Sequence, residues 1–475
     1  MKKEPVVIKE LSAAKRENNF SEVVLGYDEA DAVEEAKRCI QCKDPKCSQG
    51  CPVGIDIKKF LFQVSQNDYQ GALTTIRENN NFPSVCGRVC PAEYQCRKAC
   101  VFTKKDSPFA SDQAININFI ERFVGDWGMR NAVVSSQQSV VSSKNNDKKV
   151  AVVGSGPAGL CTAGELARAG IKVKLFESLH KLGGVLRYGI PTFRLPRDIM
   201  DFEIEQLKKL GVEMVPNFVV GKAASVQDLF DEGYGSVFLG LGAGVPTFMG
   251  IKGESLCNIY SANEFLTRVN LLGADKFPQN HTPVNIGKNI IIIGGGNTAM
   301  DSARVAIRLQ RMNGIAPNTT VCYRRTELEM PARRLEIHHA KEEGIIFKFL
   351  AQPEELLGDE NGYVKTLRCL QCELGEPDQN GRRRPVIMPG SEFDLPCDQL
   401  VIAAGLGANQ VLTSVTPELK LDKWGDVIVD KETMETSMKK VFAGGDIVGG
   451  EGTVIEAMRM GKFAAKAIVE QLSVK

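Results

Sequence analysis

The stretch Lys149-Val150-Ala151-Val152-Val153-Gly154-Ser155-Gly156-Pro157-Ala158-Gly159 decides the fold. An apolar, β-branched run leads into three glycines and then into a helical pattern. Gly154 allows a tight turn, Gly156 lets the backbone approach a pyrophosphate, and Gly159 lets helix and strand pack closely. Pro157 and Ala158 complete the loop, and the helix that follows turns its N-terminus toward the phosphates. A lone G-x-G-x-x-G is weak. Here a second strand, Lys172-Val-Lys-Leu-Phe176, follows the helix and ends in Glu177, an acid that can accept hydrogen bonds from ribose hydroxyls. All four elements together point to a dinucleotide site rather than an empty glycine turn.

Working outward, the same pattern recurs. Asn289-Ile-Ile-Ile-Ile293 runs into Gly294-Gly295-Gly296-Asn297-Thr298-Ala299, and the next strand, Thr320-Val-Cys-Tyr323, ends in Arg324-Arg325 instead of an acid. A carboxylate at that place repels a ribose 2′-phosphate, whereas guanidinium groups pair with it. The first unit is therefore expected to take FAD and the second NADPH. The plain alternative for the arginines is a solvated strand end. Val441-Phe-Ala-Gly-Gly-Asp446 reads as a strand whose acid can bond a ribityl chain. Gly452-Thr453-Val454 opens a last helix whose amides can stabilise negative charge on a reduced flavin. The segments Phe238 to Pro246, with Gly242 inside it, and Val401 to Gly405 read as strands crossing between the two units. Strand–turn–helix patterning of this kind indicates parallel sheets in an α/β architecture.

Upstream lies a different chemistry. Eight cysteines fall in two runs, Cys39, Cys42, Cys47, Cys51 and Cys86, Cys90, Cys96, Cys100, and Cys51 and Cys90 precede prolines. A short Cys run closed by Cys-Pro is an iron–sulfur pattern in which the Cys before the proline serves a different cluster from its neighbours. Disulfides suit small secreted domains. All-Cys zinc sites remain an alternative, because none of the four histidines lies in this region. Around the cysteines, helices are expected from Asp28 to Ala36, from Ile57 to Glu78 and from Ile115 to Trp127. Cys369-Leu-Gln-Cys372 could form a redox disulfide, but residues three apart on a strand face opposite sides, so the thiols are not expected to meet.

Size and composition set the outer limits. A chain of 475 residues calls for two to four domains. Its net charge of +1 gives no global basic excess for nucleic acid or an anionic membrane. No stretch reaches the ~20 apolar residues of a membrane helix, and Met1-Lys-Lys-Glu-Pro lacks a signal peptide's apolar run, so a cytoplasmic protein is expected. The division read from these features is a helical domain over 1–130, a Ser/Asn/Gln-rich linker over 131–147, a FAD-binding domain over 148–250 and 411–475, and an NADPH-binding domain over 251–410. The fold class is α/β, an N-terminal α-helical iron–sulfur domain followed by two Rossmann-like dinucleotide-binding domains.

Taken in order, Cys39-x2-Cys42-x4-Cys47-x3-Cys51-Pro52, Gly87-Arg-Val-Cys90-Pro91, Cys96-x3-Cys100, Ile115 to Phe123, the first glycine loop, Gly183-Gly184-Val-Leu-Arg-Tyr-Gly-Ile-Pro191, Gly294 to Asp301, Tyr323-Arg324-Arg325-Thr and Ala443 to Asp446 resemble the small (beta) subunit of NADPH-dependent glutamate synthase. They are similar, too, to the large subunit of NADPH–ferredoxin oxidoreductases and the N-terminal half of dihydropyrimidine dehydrogenase. The resemblance covers nearly the whole chain. It implies two [4Fe–4S] clusters, one on Cys39, Cys42, Cys47 and Cys100, the other on Cys51, Cys90, Cys96 and the carboxylate of Glu121, with Cys86 left over. It also implies that Gly183 to Pro191, including Gly184, Leu186 and Arg187, lines the flavin.

The function this implies is an NADPH-dependent oxidoreductase. Hydride passes to FAD, and single electrons then pass through two [4Fe–4S] clusters to a partner such as a glutamate synthase large subunit. The alternative is a free-standing NADPH:ferredoxin or small-acceptor oxidoreductase, with Lys58-Lys59 and Lys104-Lys105 as candidate docking lysines. A structural zinc protein with vestigial nucleotide folds is the non-enzymatic reading. No catalytic nucleophile or acid–base pair is required, because the cofactors carry the chemistry.

Overall fold

The computed structural model describes residues 4–103, 113–131, 148–377, 381–449 and 452–473. Of the expected linker only Asn131 falls among them, and Lys104-Lys105 lie outside the described residues.

Two five-stranded parallel sheets carry the glycine loops. The first orders its strands as Val441–Ala443, Ser236–Leu239, Lys149–Val153, Lys172–Phe176 and Glu213–Val215. The second orders Ile346–Phe349, Thr319–Tyr323, Ile290–Ile293, Gln399–Ile402 and Ile259–Ser261. In each, the strand before the glycine loop is central and buried, from Val150 to Val153 in the first and throughout Ile290–Ile293, a continuous apolar run, in the second. That is the pattern of strands covered on both faces. An antiparallel ribbon, Ala243–Pro246 against Leu406–Ala408, joins the units where crossing strands were expected. A three-stranded antiparallel sheet, Ala351–Gly358, Val364–Pro377 and Arg383–Pro396, is attached to the second unit.

The helix Pro157–Arg168 packs against the last helix, Val454–Ser473. A Cβ on Gly461 would stand 2.6 Å from the Ala158 carbonyl oxygen, so glycine there permits the close crossing. The N-terminal region is helical: Glu29–Lys37, Ile57–Ser65, Tyr69–Arg77, Pro83–Val89 and Ile117–Arg130. The expected single helix from Ile57 to Glu78 is two. Asn67 adopts a left-handed φ of 62°, and Asp68 caps the second helix by accepting from the Gly71 amide at 2.8 Å.

This helical region docks on both nucleotide units. Asn81 Nδ2 donates to Glu165 Oε1 at 3.2 Å and Lys462 Nζ to the Asn79 carbonyl at 3.0 Å. On the other side, Arg333 Nη1 donates to the Arg88 carbonyl at 2.6 Å. Cys369 and Cys372 form no disulfide. The pairing shifts register between Leu370 and Cys372, and both residues end buried. Both thiols are free, and Cys369 Sγ lies 4.0 Å from Cys322 Sγ on the neighbouring sheet. Among the described residues no helix is long and apolar enough to cross a membrane.

Candidate functional site

One cavity of about 700 Å³ runs between the two nucleotide units. Its walls include Gly154, Gly156, Pro157, Ala158 and Glu177 of the first unit and Gly296, Asn297 and Thr298 of the second. Gly184, Gly242, Asp446, Thr453 and Val454 line it as well. Val89 and Pro91, the neighbours of Cys90, complete the wall from the helical region.

The glycines separate into two kinds. A Cβ on Gly154 would meet the Gly240 oxygen at 2.3 Å, and one on Gly159 would meet the Gly154 oxygen at 1.9 Å, so the protein's own packing demands glycine there. Nothing lies within 4 Å of a Cβ placed on Gly156 or Gly296. At those two positions the free space is the cradle itself, open for a pyrophosphate to approach backbone amides. The second unit repeats the tight member of the pair, since a Cβ on Gly294 would stand 2.5 Å from the Ala403 oxygen.

Glu177 is 5% exposed and is held by its own loop: Oε2 accepts from the Ser155 amide at 2.9 Å and Oε1 from the Leu179 amide at 2.8 Å. It thus braces the turn as well as lining the cavity. Several candidates stand off the cavity wall. Gly159 and Gly294 serve packing. Leu186 is fully buried, and Arg187 pairs with Asp201 while its Nε donates to the Leu182 carbonyl at 2.8 Å. Arg324 is exposed, but Arg325 is buried with Nε donating to the Arg383 carbonyl at 2.7 Å.

The cysteines assemble into two groups. Burial raises the Cys39 thiol and pushes Cys47 up to about 11, and the neighbours that add to these shifts are Cys42 and Cys100. Burial likewise pushes Cys51 to about 11 and Cys96 well above the ordinary thiol range, here with Glu121 and Cys90 as the acidic neighbours. Glu121 is 6% exposed and its carboxyl is pushed up to about 8 by burial, against a hydrogen bond from Asn80 Nδ2 at 2.6 Å. Three thiols and a carboxylate crowded in a dry pocket favour their anionic forms only beside a cation, the condition an iron–sulfur core meets. The first group is partly exposed and the second lies deeper, with Cys90 8% exposed. Cys86 is fully buried, its Sγ 3.6 Å from Asn80 Oδ1.

Sequence reasoning missed the walls supplied by Val89 and Pro91, and it missed Arg194 and Asp301, which line the cavity as an ion pair at 2.6 Å. Val89 and Pro91 stood in the Gly87 to Pro91 motif without an assigned role, and no local signal marks Arg194. Asp301 stood in the second glycine motif without an assigned role.

Comparison with known proteins agrees with this layout. Residues 16–133 match the family model described as dihydropyrimidine dehydrogenase domain II, 4Fe-4S cluster, and residues 148–461 match pyridine nucleotide-disulphide oxidoreductase. The glutamate synthase [NADPH] small chain of Halomonas elongata is 34% identical over 467 residues, 97% of this chain and 95% of its own. That of Azospirillum brasilense is 34% identical over 96% of this chain and 92% of its own. The putative oxidoreductase AegA of Escherichia coli is 34% identical over 98% of this chain and 69% of its own. Among solved structures, Mycobacterium tuberculosis FprA in complex with NADPH superposes with a TM-score of 0.57 at 20% identity, covering 68% of this chain and 84% of that one, a likeness of fold. With two glycine cradles on one cavity, two cysteine groups in the helical region and near full-length similarity, the chain belongs to the family of NADPH-dependent glutamate synthase small chains, oxidoreductases whose cofactors are FAD, NADPH and [4Fe–4S] clusters.

Proposed function

We propose that this chain draws reducing equivalents from NADPH and delivers them one at a time to a protein partner, as the electron-input subunit of a glutamate synthase. The observation that carries the reading is the composition of one cavity wall: both glycine cradles and the two neighbours of Cys90 share it. When bound, FAD exchanges electron pairs with a nicotinamide and single electrons with iron–sulfur clusters.

The chain's own residues supply the rest. Gly156 and the helix behind it would hold the FAD pyrophosphate, Asp446 would accept from the ribityl chain, and the N-terminus of the helix Val454–Ser473 would stabilise negative charge on the flavin ring. Gly296, Asn297 and Thr298 would hold the NADPH pyrophosphate, and exposed Arg324 would take the 2′-phosphate. Cys51, Cys90, Cys96 and Glu121 would hold the cluster nearer the cavity, with Val89 and Pro91 keeping water from the space between. Cys39, Cys42, Cys47 and Cys100 would hold the cluster nearer the surface, where a partner can reach it. The domain limits drawn above belong to this reading.

The test is anaerobic titration with NADPH, followed by identification of whatever chain co-purifies. Flavin and iron–sulfur absorbance should bleach in turn, and a large amidotransferase-bearing partner should be retained. A colourless protein without iron or sulfide would overturn the reading. Full activity of the isolated chain with ferredoxin would replace the subunit by the free-standing enzyme.

A further inference from the structure

Three side chains meet where the N-terminal segment crosses the second nucleotide unit. His338 and Glu342 stand one turn apart on the helix Arg334–Glu342, with His338 Nε2 3.4 Å from Glu342 Oε1. Glu10, on the short strand Lys9–Glu10, reaches over from the N-terminal segment. One ligand atom from each of the three lies within 4.8 Å of the other two. The imidazole is 59% exposed and both carboxyl groups reach solvent, so the triangle is open on its outer side.

In each carboxylate the other oxygen is held from beneath. Glu10 Oε2 lies 2.6 Å from His339 Nε2, and Glu342 Oε2 accepts from Arg16 Nη2 at 2.6 Å. His339 and Arg16 are both buried, so these two partners form a fixed floor. Outer hydrogen bonds of this kind orient metal ligands. Two carboxylates this close repel each other, and Arg16 offsets that only in part, because its Nη1 turns inward to Glu343 at 3.6 Å. A small divalent cation on the open side relieves the repulsion and uses the imidazole nitrogen as well.

We propose that Glu10, His338 and Glu342 bind a zinc ion, with water in the fourth position. Bonds of about 2.0–2.1 Å to a tetrahedral zinc set its ligand atoms about 3.3 Å apart. The His338–Glu342 pair already stands at that spacing, and rotation of the Glu10 side chain closes the rest. One imidazole with two carboxylates suits zinc, whereas calcium and magnesium ask for a shell of oxygens. None of the three residues lines the shared cavity, so the ion stands apart from the hydride chemistry. Its place is that of a clip. Four residues before Glu10, the Val6 amide donates to Glu35 Oε2 at 2.8 Å, inside the helical region. The ion fastens the other end of that stretch to the second nucleotide unit.

The experiment titrates zinc chloride calorimetrically into the holoprotein, with its iron and sulfide in place so that the cluster cysteines are occupied, and measures the zinc retained after desalting. Wild type should hold one zinc per chain that His338→Ala and Glu10→Gln lack. Each substitution should weaken binding at least about a hundredfold, more than the loss of an outer partner costs, while iron and sulfide contents stay equal in all three proteins. Zinc should also slow tryptic cleavage of residues 11–22 in wild type and leave the rate for His338→Ala unchanged. A wild type that retains no zinc would overturn the proposal, as would equal zinc in wild type and His338→Ala. Zinc lost from His338→Ala but kept by Glu10→Gln would overturn it too, since the N-terminal segment would then supply no ligand. His338 is exposed and its replacement leaves the buried floor intact, and the wild-type titration stands even if Glu10→Gln, which also gives up a charge beside His339, does not fold.

Discussion

Cys86 Sγ lies 3.6 Å from Met458 Sδ, so the cysteine left over from both ligand sets is a contact between the helix Pro83–Val89 and the last helix of the first nucleotide unit. Cys90, four residues on, lies against Cys86 and also neighbours Glu121. Substituting the two should have opposite consequences. Cys86→Ser puts a hydroxyl at a fully buried position where Asn80 Oδ1 is the nearby acceptor and Met458 the apolar neighbour, and should cost no more than about 1–3 kcal/mol of stability with the wild-type iron content retained. Cys90→Ser should lose the iron of one cluster. Iron analysis of the two anaerobically purified variants checks both.

The glycine loop allows a similar separation. Gly159→Ala would place a methyl 1.9 Å from the Gly154 oxygen, a backbone atom with no room to move, and should destabilise the protein even without flavin. Gly156→Ala meets no protein atom within 4 Å at an ordinary φ of −70°, so the apoprotein should melt as wild type does. Its FAD content after reconstitution should fall, because the methyl occupies the approach of the pyrophosphate. Thermal melts of the apoproteins and the flavin-to-protein ratio read the two effects apart.

What the chain made legible and what it hid follow from range. Both glycine units could be read because strand, loop and helix are contiguous, and the φ of 99° at Gly154 and of 130° at Gly294 is a local demand that only glycine meets comfortably. The break at Asn67 was equally local and was overlooked beneath a good apolar period. Arg194 and Asp301 are another matter. They stand 107 positions apart, and a charged residue in a sequence carries no mark of the partner that lets it be buried. The register shift between Leu370 and Cys372 depends on how the strand Arg383–Pro396 pairs, so alternation along one strand could not reveal it.

Glu203 supplies a pH dependence. It is 2% exposed on the helix Arg197–Lys209, and burial, only partly offset by Arg77, pushes its carboxyl from 4.5 to about 7. The folded state therefore binds this proton more tightly than the unfolded chain. The stabilisation is fully present below about pH 4.5 and is lost as pH rises through about 7, an effect on the order of 3 kcal/mol. Glu203→Gln keeps the neutral form at every pH. Its melting temperature relative to wild type should rise between about pH 5 and pH 8, and a difference that stays flat across that interval would count against the shift.

The buried charge network beneath the second unit makes the last prediction. Glu343 has no exposed surface, and its Oε1 accepts from Arg304 Nη2 at 2.8 Å and Arg308 Nη2 at 2.9 Å, with Arg16 Nη1 at 3.6 Å. Burial alone would raise this carboxyl, but the Arg304 and Arg308 guanidinium groups outweigh it and hold the group below the usual range. Glu343→Gln removes the one charge shared by three buried cations and should cost about 3–5 kcal/mol in urea unfolding. Glu342, the preceding residue, is exposed and pairs with Arg16 at 2.6 Å on the outer edge of the same network. Its replacement by Gln removes a screened pair and should cost no more than about 1 kcal/mol. Arg16 belongs to the N-terminal segment, which also pairs with the Phe193 carbonyl through the Val23 amide at 3.0 Å. Loss of Glu343 should therefore loosen the segment that straps the helical region to the second unit, and limited proteolysis should cut Glu343→Gln near residue 16 sooner than it cuts Glu342→Gln. Equal unfolding curves for the two variants would show that neither the burial of Glu343 nor the number of cations it serves sets the worth of this network.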